Sequence, residues 1–349
     1  MPKCDRCNER EAAYYQHFTG LKLCGRCLIE DVKSRVKREI DRFSLIKSSD
    51  TVLLALSGGK DSFVLLDALS SIVDSSRLIG FSIVEGIPNY NREEYIARLK
   101  KYASDRGVDL VVSSLKEMFG YSLHDIVSRA RAVSLEISPC TFCGAMRRRG
   151  INLAARMLGA SKTATAHNLD DEVQTLFMNI LRGDPERLIR QHPLAPRLSS
   201  LLVQRIKPLR KIYEREATAY AFELGFKFQE TECPYITFQP TLRARIRHWL
   251  YMLERERPGA MLSILEKFDS LLIRKIAESK YSDLPTCRIC GEPTSIGRTI
   301  CKLCELMQAM GIENGENAVQ LKAQLSRTRR SSQVSQQSSF QQQPDLSHV

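Results

Sequence analysis

The sequence predicts an α/β protein built on a doubly wound parallel sheet, with a small cysteine module at each end. Three observations carry that prediction. Short apolar segments alternate with helix-length amphipathic segments through the middle of the chain. Two adjacent glycines follow the first of these strands, where it would turn into a helix. Cysteines spaced Cys-x2-Cys recur in pairs near both ends. The 349 residues leave room for one sizeable core plus appended modules.

Residues 1–30 hold Cys4, Cys7, Cys24 and Cys27 as two knuckles, with Gly20 and Gly25 at turn positions. Leu28, Val32, Val36, Ile40 and Phe43 then recur at three- and four-residue steps, which predicts a linking helix across 31–47. In the central domain, 48–240, strands are expected at 51–56, 78–84, 108–113, 162–166 and 203–206. Helices are expected to about 71, at 92–106, to about 158, at 169–181 and at 213–224, with Cys140 and Cys143 between helices. Residues 241–284 read as a helical extension, with helices near 242–253 and 260–276. Residues 285–312 carry Cys287, Cys290, Cys301 and Cys304. From 313 to 349 the chain becomes rich in Ser and Gln, too poor in apolar side chains to bury a core, and is expected to be largely disordered.

Lysine and arginine outnumber aspartate and glutamate by 52 to 40, a net charge of +12 that favours a polyanionic partner. A basic soluble protein without one is the plainer reading. No apolar run approaches the roughly 20 residues needed to span a bilayer, and the first residues have neither signal nor transit character. The expectation is a cytoplasmic protein with no membrane contact. In that compartment the eleven cysteines read as metal ligands rather than disulfides.

Each terminal quartet has the spacing of a closed four-thiolate zinc site, structural in role, with RNA contact by the knuckles as the other reading. Cys140, Cys143 and Cys233 remain, one thiolate short of such a site. Three thiolates suit an iron–sulfur cubane with one iron open to an exogenous sulfide. Two rivals stay open: a Cys140/Cys143 redox pair with a persulfide on Cys233, or three inert thiols.

The sharpest local motif is Ala55-Leu56-Ser57-Gly58-Gly59-Lys60-Asp61-Ser62. The glycines let successive N–H groups face an anion, the helix that follows adds its positive end, and Ser57, Ser62 and Lys60 add hydroxyls and charge. It lacks the Walker A spacing. Asp61 beside phosphates would be repulsive unless it holds magnesium or pins the loop. A second acidic motif, Ala166-His167-Asn168-Leu169-Asp170-Asp171-Glu172, ends a strand and opens a helix. Its carboxylates can hold magnesium or take a proton, or can simply complement the helix N-terminus.

Ser57 to Ser62 resembles the signature of the PP-loop ATP pyrophosphatases, which adenylate a substrate with release of pyrophosphate. The implied fold is the HUP/Rossmann-like sheet with nucleotide at the carboxyl ends of its strands. The order of cysteine quartet, Ser-Gly-Gly-Lys-Asp-Ser, Cys-Thr-Phe-Cys-Gly, His-Asn-Leu-Asp-Asp-Glu, Glu-Cys-Pro and second quartet resembles the TtuA/NcsA group of tRNA 2-thiouridine synthetases. That resemblance runs from Cys4 to about Cys304. It implies a 4Fe-4S cluster on Cys140, Cys143 and Cys233, two structural zinc ions, a catalytic Asp171 and magnesium-bound ATP. Nucleotide contacts are implied for Ala55, the loop, Ser82, Arg147 and Ala166, although the group commonly has glycine where Ala166 stands. Cys-Thr-Phe-Cys-Gly followed by Arg147-Arg148-Arg149, and Asn179-Ile180-Leu181-Arg182-Gly183-Asp184, look like the archaeal and eukaryotic branch acting on the wobble uridine at position 34. Thiolation of the T-loop uridine at position 54 is the alternative, as is cluster-free persulfide chemistry.

The resemblance further implies a tRNA substrate, a ubiquitin-like thiocarboxylate carrier or free sulfide as sulfur donor, and a homodimer. Candidate tRNA contacts are Arg148, Arg149, Arg243, Arg245 and Arg247, with the basic stretch around Arg205 and Lys207 beside them. Arg243, Arg245 and Arg247 alternate, so a helix would spread them around its axis. His248 and Trp249 could stack on a base, though a core position suits the single tryptophan better. From a different class, a zinc-containing tRNA-binding protein with a regulatory nucleotide site predicts binding without pyrophosphate release. An enzyme adenylating a small amide or acid would leave the charge and the three spare cysteines unexplained.

Overall fold

The structure is a computed structural model, and it describes residues 2–90, 93–228, 232–236, 241–278 and 283–312. The expected disorder of 313–349 lies outside the described residues.

A short hairpin, β1 (Tyr14–Gln16) with β2 (Leu21–Leu23), brings the two N-terminal knuckles together. The central sheet has five parallel strands: β3 (Val52–Ala55), β4 (Leu78–Val84), β5 (Asp109–Ser114), β6 (Lys162–Thr165) and β7 (Gln204–Ile206). Their order is β5-β4-β3-β6-β7. Ala55 pairs with Phe81 on one side and Thr165 on the other. The order therefore reverses between β3 and β6, opening a crevice beyond their carboxyl ends.

Both sheet faces are covered, so β3 reads as a continuous apolar run. Val52, Leu54 and Leu56 face helices α1 (Gly25–Phe43), α2 (Lys60–Ser70), α3 (Glu93–Ser104) and α9 (Glu214–Glu223). Leu53 faces the opposite way with Phe81 and Val111, towards α4 (Leu115–Phe119), α5 (Leu123–Ala132) and α6 (Pro139–Met157). Gly150 lets α6 lie close on β4: a Cβ there would stand 3.1 Å from Ile83 and Met118 atoms. A third cluster joins α7 (Leu169–Leu181) to α10 (Leu242–Glu256) and α11 (Ala260–Glu278) through Val173, Ile246, Leu250 and Leu265.

The terminal modules are fused to the core. Cys4, Cys24 and Cys27 share a cluster with Val32 and Val36. Gly25 opens α1 instead of making a turn, so knuckle and linking helix are one element. At the other end, Leu303, Leu306 and Met307 of α12 (Lys302–Ala309) pack with Phe142, Met146 and Ala154 of α6. Each module thus seals one face of the sheet.

A buried ion knot ties α1 to α11. Arg210, 1% exposed, donates to both oxygens of Asp269 at 2.7 Å and to Glu39 at 2.9 Å. His192, also buried, lies 4.0 Å from Asp269 and accepts the Leu194 N–H at its Nδ1.

β4 and α7 have the expected bounds. Cys140 and Cys143, expected between helices, lie in the first turn of α6, because Pro139 at the first helical position starts the helix before them. Four short helices were not expected: α4, α5, α8 (Pro185–Gln191) and α12. Trp249 is 49% exposed and meets Phe177 edge-on, so it is not a core residue. No helix of the described residues is long and apolar enough to cross a membrane.

Candidate functional site

Ala55 ends β3, and the chain turns through Ser57 to Gly59 at the edge of the crevice. Gly58 sits at φ +80°, a conformation a side chain would strain. The Ser62 hydroxyl donates to the Gly59 carbonyl at 2.7 Å and holds the turn closed. No side chain caps α2, so its first amides and its positive end face the crevice. Next door on β4, the Ser82 hydroxyl is buried with no hydrogen-bond partner among the described residues. Ala166, half-buried, directly follows β6.

Opposite the loop, Asn168 caps α7 by accepting the Asp171 N–H at 3.0 Å. Its amide also donates to Asp61 at 3.3 Å and so ties the two motifs across the reversal point. Asp61 therefore pins the loop to the β6 turn. Lys60 bridges Asp61 and Glu214, 3.0 Å from each. The Glu214 N–H donates to Asp170 at 2.8 Å. Two arginines of α10 close the cluster: Arg243 lies 3.3 Å from Asp171, and Arg247 lies 3.0 Å from Glu214. One turn apart, they share a face, whereas exposed Arg245 points elsewhere.

Burial raises the carboxyls of Asp61 and Asp171, and raises Asp170 to about 6. Glu214 adds its repulsion to each. Asp61, Asp171 and Glu214 are paired with side-chain cations and Asp170 with the Glu214 N–H, a set from which a divalent ion carrying phosphates can draw ligands. Glu172 does not join them. It is buried and paired to Lys207 at 2.7 Å. Glu214 was missed from sequence, since nothing local distinguishes it from an ordinary first-turn glutamate.

Cys140 and Cys143 project from the first turn of α6, near Cys233. Burial raises the Cys143 thiol to about 11, with Glu85, Cys140 and Cys233 adding to it and Arg147 opposing. Cys233 is raised for the same reasons, burial first. Unaided, these thiols resist becoming thiolates, which a metal would reverse. Glu85 directly follows β4 and lies 3.4 Å from Arg147, so the thiols sit one strand along from the loop.

The quartets are tighter. Cys7 and Cys24 sulfurs are 3.9 Å apart, and Cys290 and Cys301 sulfurs 3.8 Å. A tetrahedron with metal–sulfur bonds of about 2.3 Å has edges of about 3.8 Å, so both quartets fit zinc. Among the described residues, these quartets bring all four ligand atoms within 4.8 Å of one another, and the three remaining thiols and the cleft carboxylates are spread wider.

Of the other candidate arginines, Arg148 is exposed beside Cys143. Arg149 turns inward over Phe119, 4.0 Å from the Cys304 sulfur, so it packs between α6 and the C-terminal module.

Residues 32–253 match the family model of the PP-loop domain, ATP_bind_3. The chain is 32% identical over 311 residues to cytoplasmic tRNA 2-thiolation protein 1 of Chlamydomonas reinhardtii, covering 88% of this chain and 84% of that one. With the protein of the same description from Aspergillus niger it shares 30% identity over 322 residues, 91% of each chain. The solved structure of the U34-tRNA thiolase NcsA from Methanococcus maripaludis, with its 4Fe-4S cluster, is similar at a TM-score of 0.71 and 29% identity. The match covers 89% of this chain and 97% of that one.

Proposed function

The chain belongs to the PP-loop family, among the tRNA 2-thiolation proteins, and from that membership we propose that it adenylates a tRNA uridine, at wobble position 34, and replaces its 2-oxygen with sulfur. The observation that carries this reading is the adjacency of the loop after β3 and the three thiols beside the end of β4, on one edge of one sheet.

ATP phosphates rest on the N–H groups and hydroxyls of Ser57, Gly58, Gly59 and Ser62, with Lys60 turning from its carboxylates onto them. Ala55, Ser82 and Ala166 meet the nucleoside part, where the unsatisfied Ser82 hydroxyl gains a partner. Asp61 and Asp171 would hold magnesium, which screens the phosphate charge. The uridine O2 attacks the α-phosphorus and pyrophosphate leaves. Sulfur then attacks C2, and the C2–O bond breaks with AMP as leaving group. Arg147, released from Glu85, steadies the anionic groups.

Cys140, Cys143 and Cys233 suit a 4Fe-4S cluster, being spread too widely for one tetrahedral ion, and burial makes Cys143 and Cys233 need a metal to ionise. When bound, that cluster supplies an iron able to hold sulfide. The quartets would hold two zinc ions. Sulfur comes from a thiocarboxylate carrier or free sulfide, and the enzyme works in the cytoplasm as a homodimer.

Anaerobic purification with metal analysis, then pyrophosphate release and thiolation assays with and without tRNA, tests the proposal. The expected result is about two zincs, roughly four irons and tRNA-dependent pyrophosphate release. Thiolation with zinc alone would transfer the three cysteines to persulfide chemistry. Binding of tRNA without pyrophosphate release would leave only a binding protein.

A further inference from the structure

At the β7 edge of the sheet, away from the loop after β3, lies a cavity of about 610 Å³. It is walled by α6, the chain around 190–207 and the start of α12. Its ionisable lining is overwhelmingly cationic: Arg148, Arg190, Arg197, Arg205, Lys207 and Lys302 all contribute. The carboxylate in that wall, Glu292, is committed to Arg156.

The cations divide into two groups. Arg190 pairs with Glu186, Lys207 with Glu172 and Lys302 with Glu305, while Arg197 donates to backbone carbonyls. Arg148 and Arg205 make no hydrogen bond or ion pair with the described residues. Desolvation in the wall, and after it Arg148, push the Arg205 guanidinium below its ordinary range, and desolvation and Arg187 do the same to Arg148. Both side chains are exposed to the cavity, so their charge is open to an anion without an existing partner having to be displaced. The Arg149 Nε, buried and unpartnered in the same wall, adds a further donor without an acceptor.

The forked guanidinium matches phosphate and carboxylate alike. What selects between them is extent. The cations run from α6 across β7 to α12, farther than a single carboxylate can neutralise, whereas a nucleic-acid backbone repeats its charge along its length. Arg148 and Cys143 are carried by the same helix, α6, about 7.5 Å apart along its axis, so a strand held here passes near the thiols.

We propose that this cavity is a phosphodiester site in which Arg148 and Arg205 seat the tRNA backbone, aiming the adjacent uridine at the crevice. The inference rests on the reading of tRNA as substrate and adds a second anchoring point away from the reacting atoms. The edge strand places Arg205 by register: it lies opposite Thr163 of β6 and is exposed, between half-buried Gln204 and buried Ile206.

The test is anisotropy of a labelled, unmodified tRNA transcript with the full-length protein at several salt concentrations, using R148Q, R205Q, the double variant and R205K. Each glutamine variant should weaken binding on the order of tenfold. Each should also lower the slope of log affinity against log salt by about 0.7–0.9, while R205K keeps the slope. In the unsubstituted protein, tRNA should shield both arginines from phenylglyoxal, a readout that does not depend on any variant folding.

Unchanged affinity and slope in the double variant, or weaker binding with an unchanged slope, would overturn the proposal. So would a double variant that binds tRNA normally but no longer takes sulfur from a thiocarboxylate donor, which would assign the cavity to that carrier. If the unsubstituted protein fails to bind tRNA at all, the functional reading falls and this site with it.

Discussion

Cys-x2-Cys occurs in this molecule in two physical settings. In the N-terminal quartet the ligands are mostly buried, Cys7 and Cys24 stand 3.9 Å apart, and the neighbours are core residues such as Leu28 and Val32. In the first turn of α6, Cys140 is exposed, Cys143 is half-buried, and the third thiol comes from a distant segment. Charges repeat the contrast. Arg210 is locked between Asp269 and Glu39 in the interior, whereas Lys60, Arg243 and Arg247 hold their carboxylates at a partly exposed edge. Closed shells hold the fold. Open ones leave room for something to enter. Spacing along the chain does not separate the two cases, but burial and the completeness of the shell do.

If the contrast is right, the largest effect on stability belongs to the quartets. Structural zinc contributes about 10–16 kcal/mol in small zinc domains, comparable to the whole stability of an ordinary domain. Cys24→Ser or Cys304→Ser should therefore give protein that melts without a cooperative transition in calorimetry. A wild-type transition in either would erase the distinction.

Next comes the buried knot. Arg210→Met leaves Asp269 without its cation and Glu39 with only Lys211, 3.6 Å away, and should cost about 3–5 kcal/mol in denaturant unfolding. A loss under about 1 kcal/mol would show that water reaches the pair.

A smaller effect should appear as pH dependence. Burial holds His192 below its ordinary pKa, with Asp269 only partly opposing. A histidine that folds neutral keeps its full contribution above the unfolded value of about 6.5 and loses it as pH falls towards the depressed folded value. Between pH 7.5 and 5 the melting temperature of the wild type should fall more steeply than that of His192→Gln. Parallel curves would mean that the Asp269 attraction cancels the burial, leaving the folded pKa at its unfolded value.

At the bottom of the scale, Cys233→Ala should move stability by no more than about 1 kcal/mol while abolishing thiolation and sparing ATP binding. Collapse of the fold in this variant would make the open site structural after all.

Much of this could be read from the sequence, for reasons that are local. The bounds of α7 follow from Asn168 and the acidic first turn, and β4 from a mostly apolar run, Leu78 to Val84, broken only by Gly80 and Ser82. The loop at Ser57 was legible because a glycine pair between strand and helix has few other uses. The start of α6 had a signal that went unread, Pro139 after Ser138, as did α4 and α5 in the capping boxes Ser114–Glu117 and Ser122–Asp125. What could not be read is long-range. Glu214 meets Lys60 only because α9 packs on α2, and Arg149 meets Cys304 only because α12 packs on α6. The inward turn of Arg149 and the outward turn of Trp249 are likewise decided by neighbours distant in sequence.

The sealing of one sheet face by α12 also sets a schedule for synthesis. Met146 and Ala154 on α6 pack against Leu303 and Met307, which a ribosome adds last among the described helices. At ordinary elongation rates the stretch from Met157 to Leu303 takes about 7–30 s to make. For that interval the apolar flank of α6 has no partner of its own. The nascent chain has to be shielded by other means until α12 emerges.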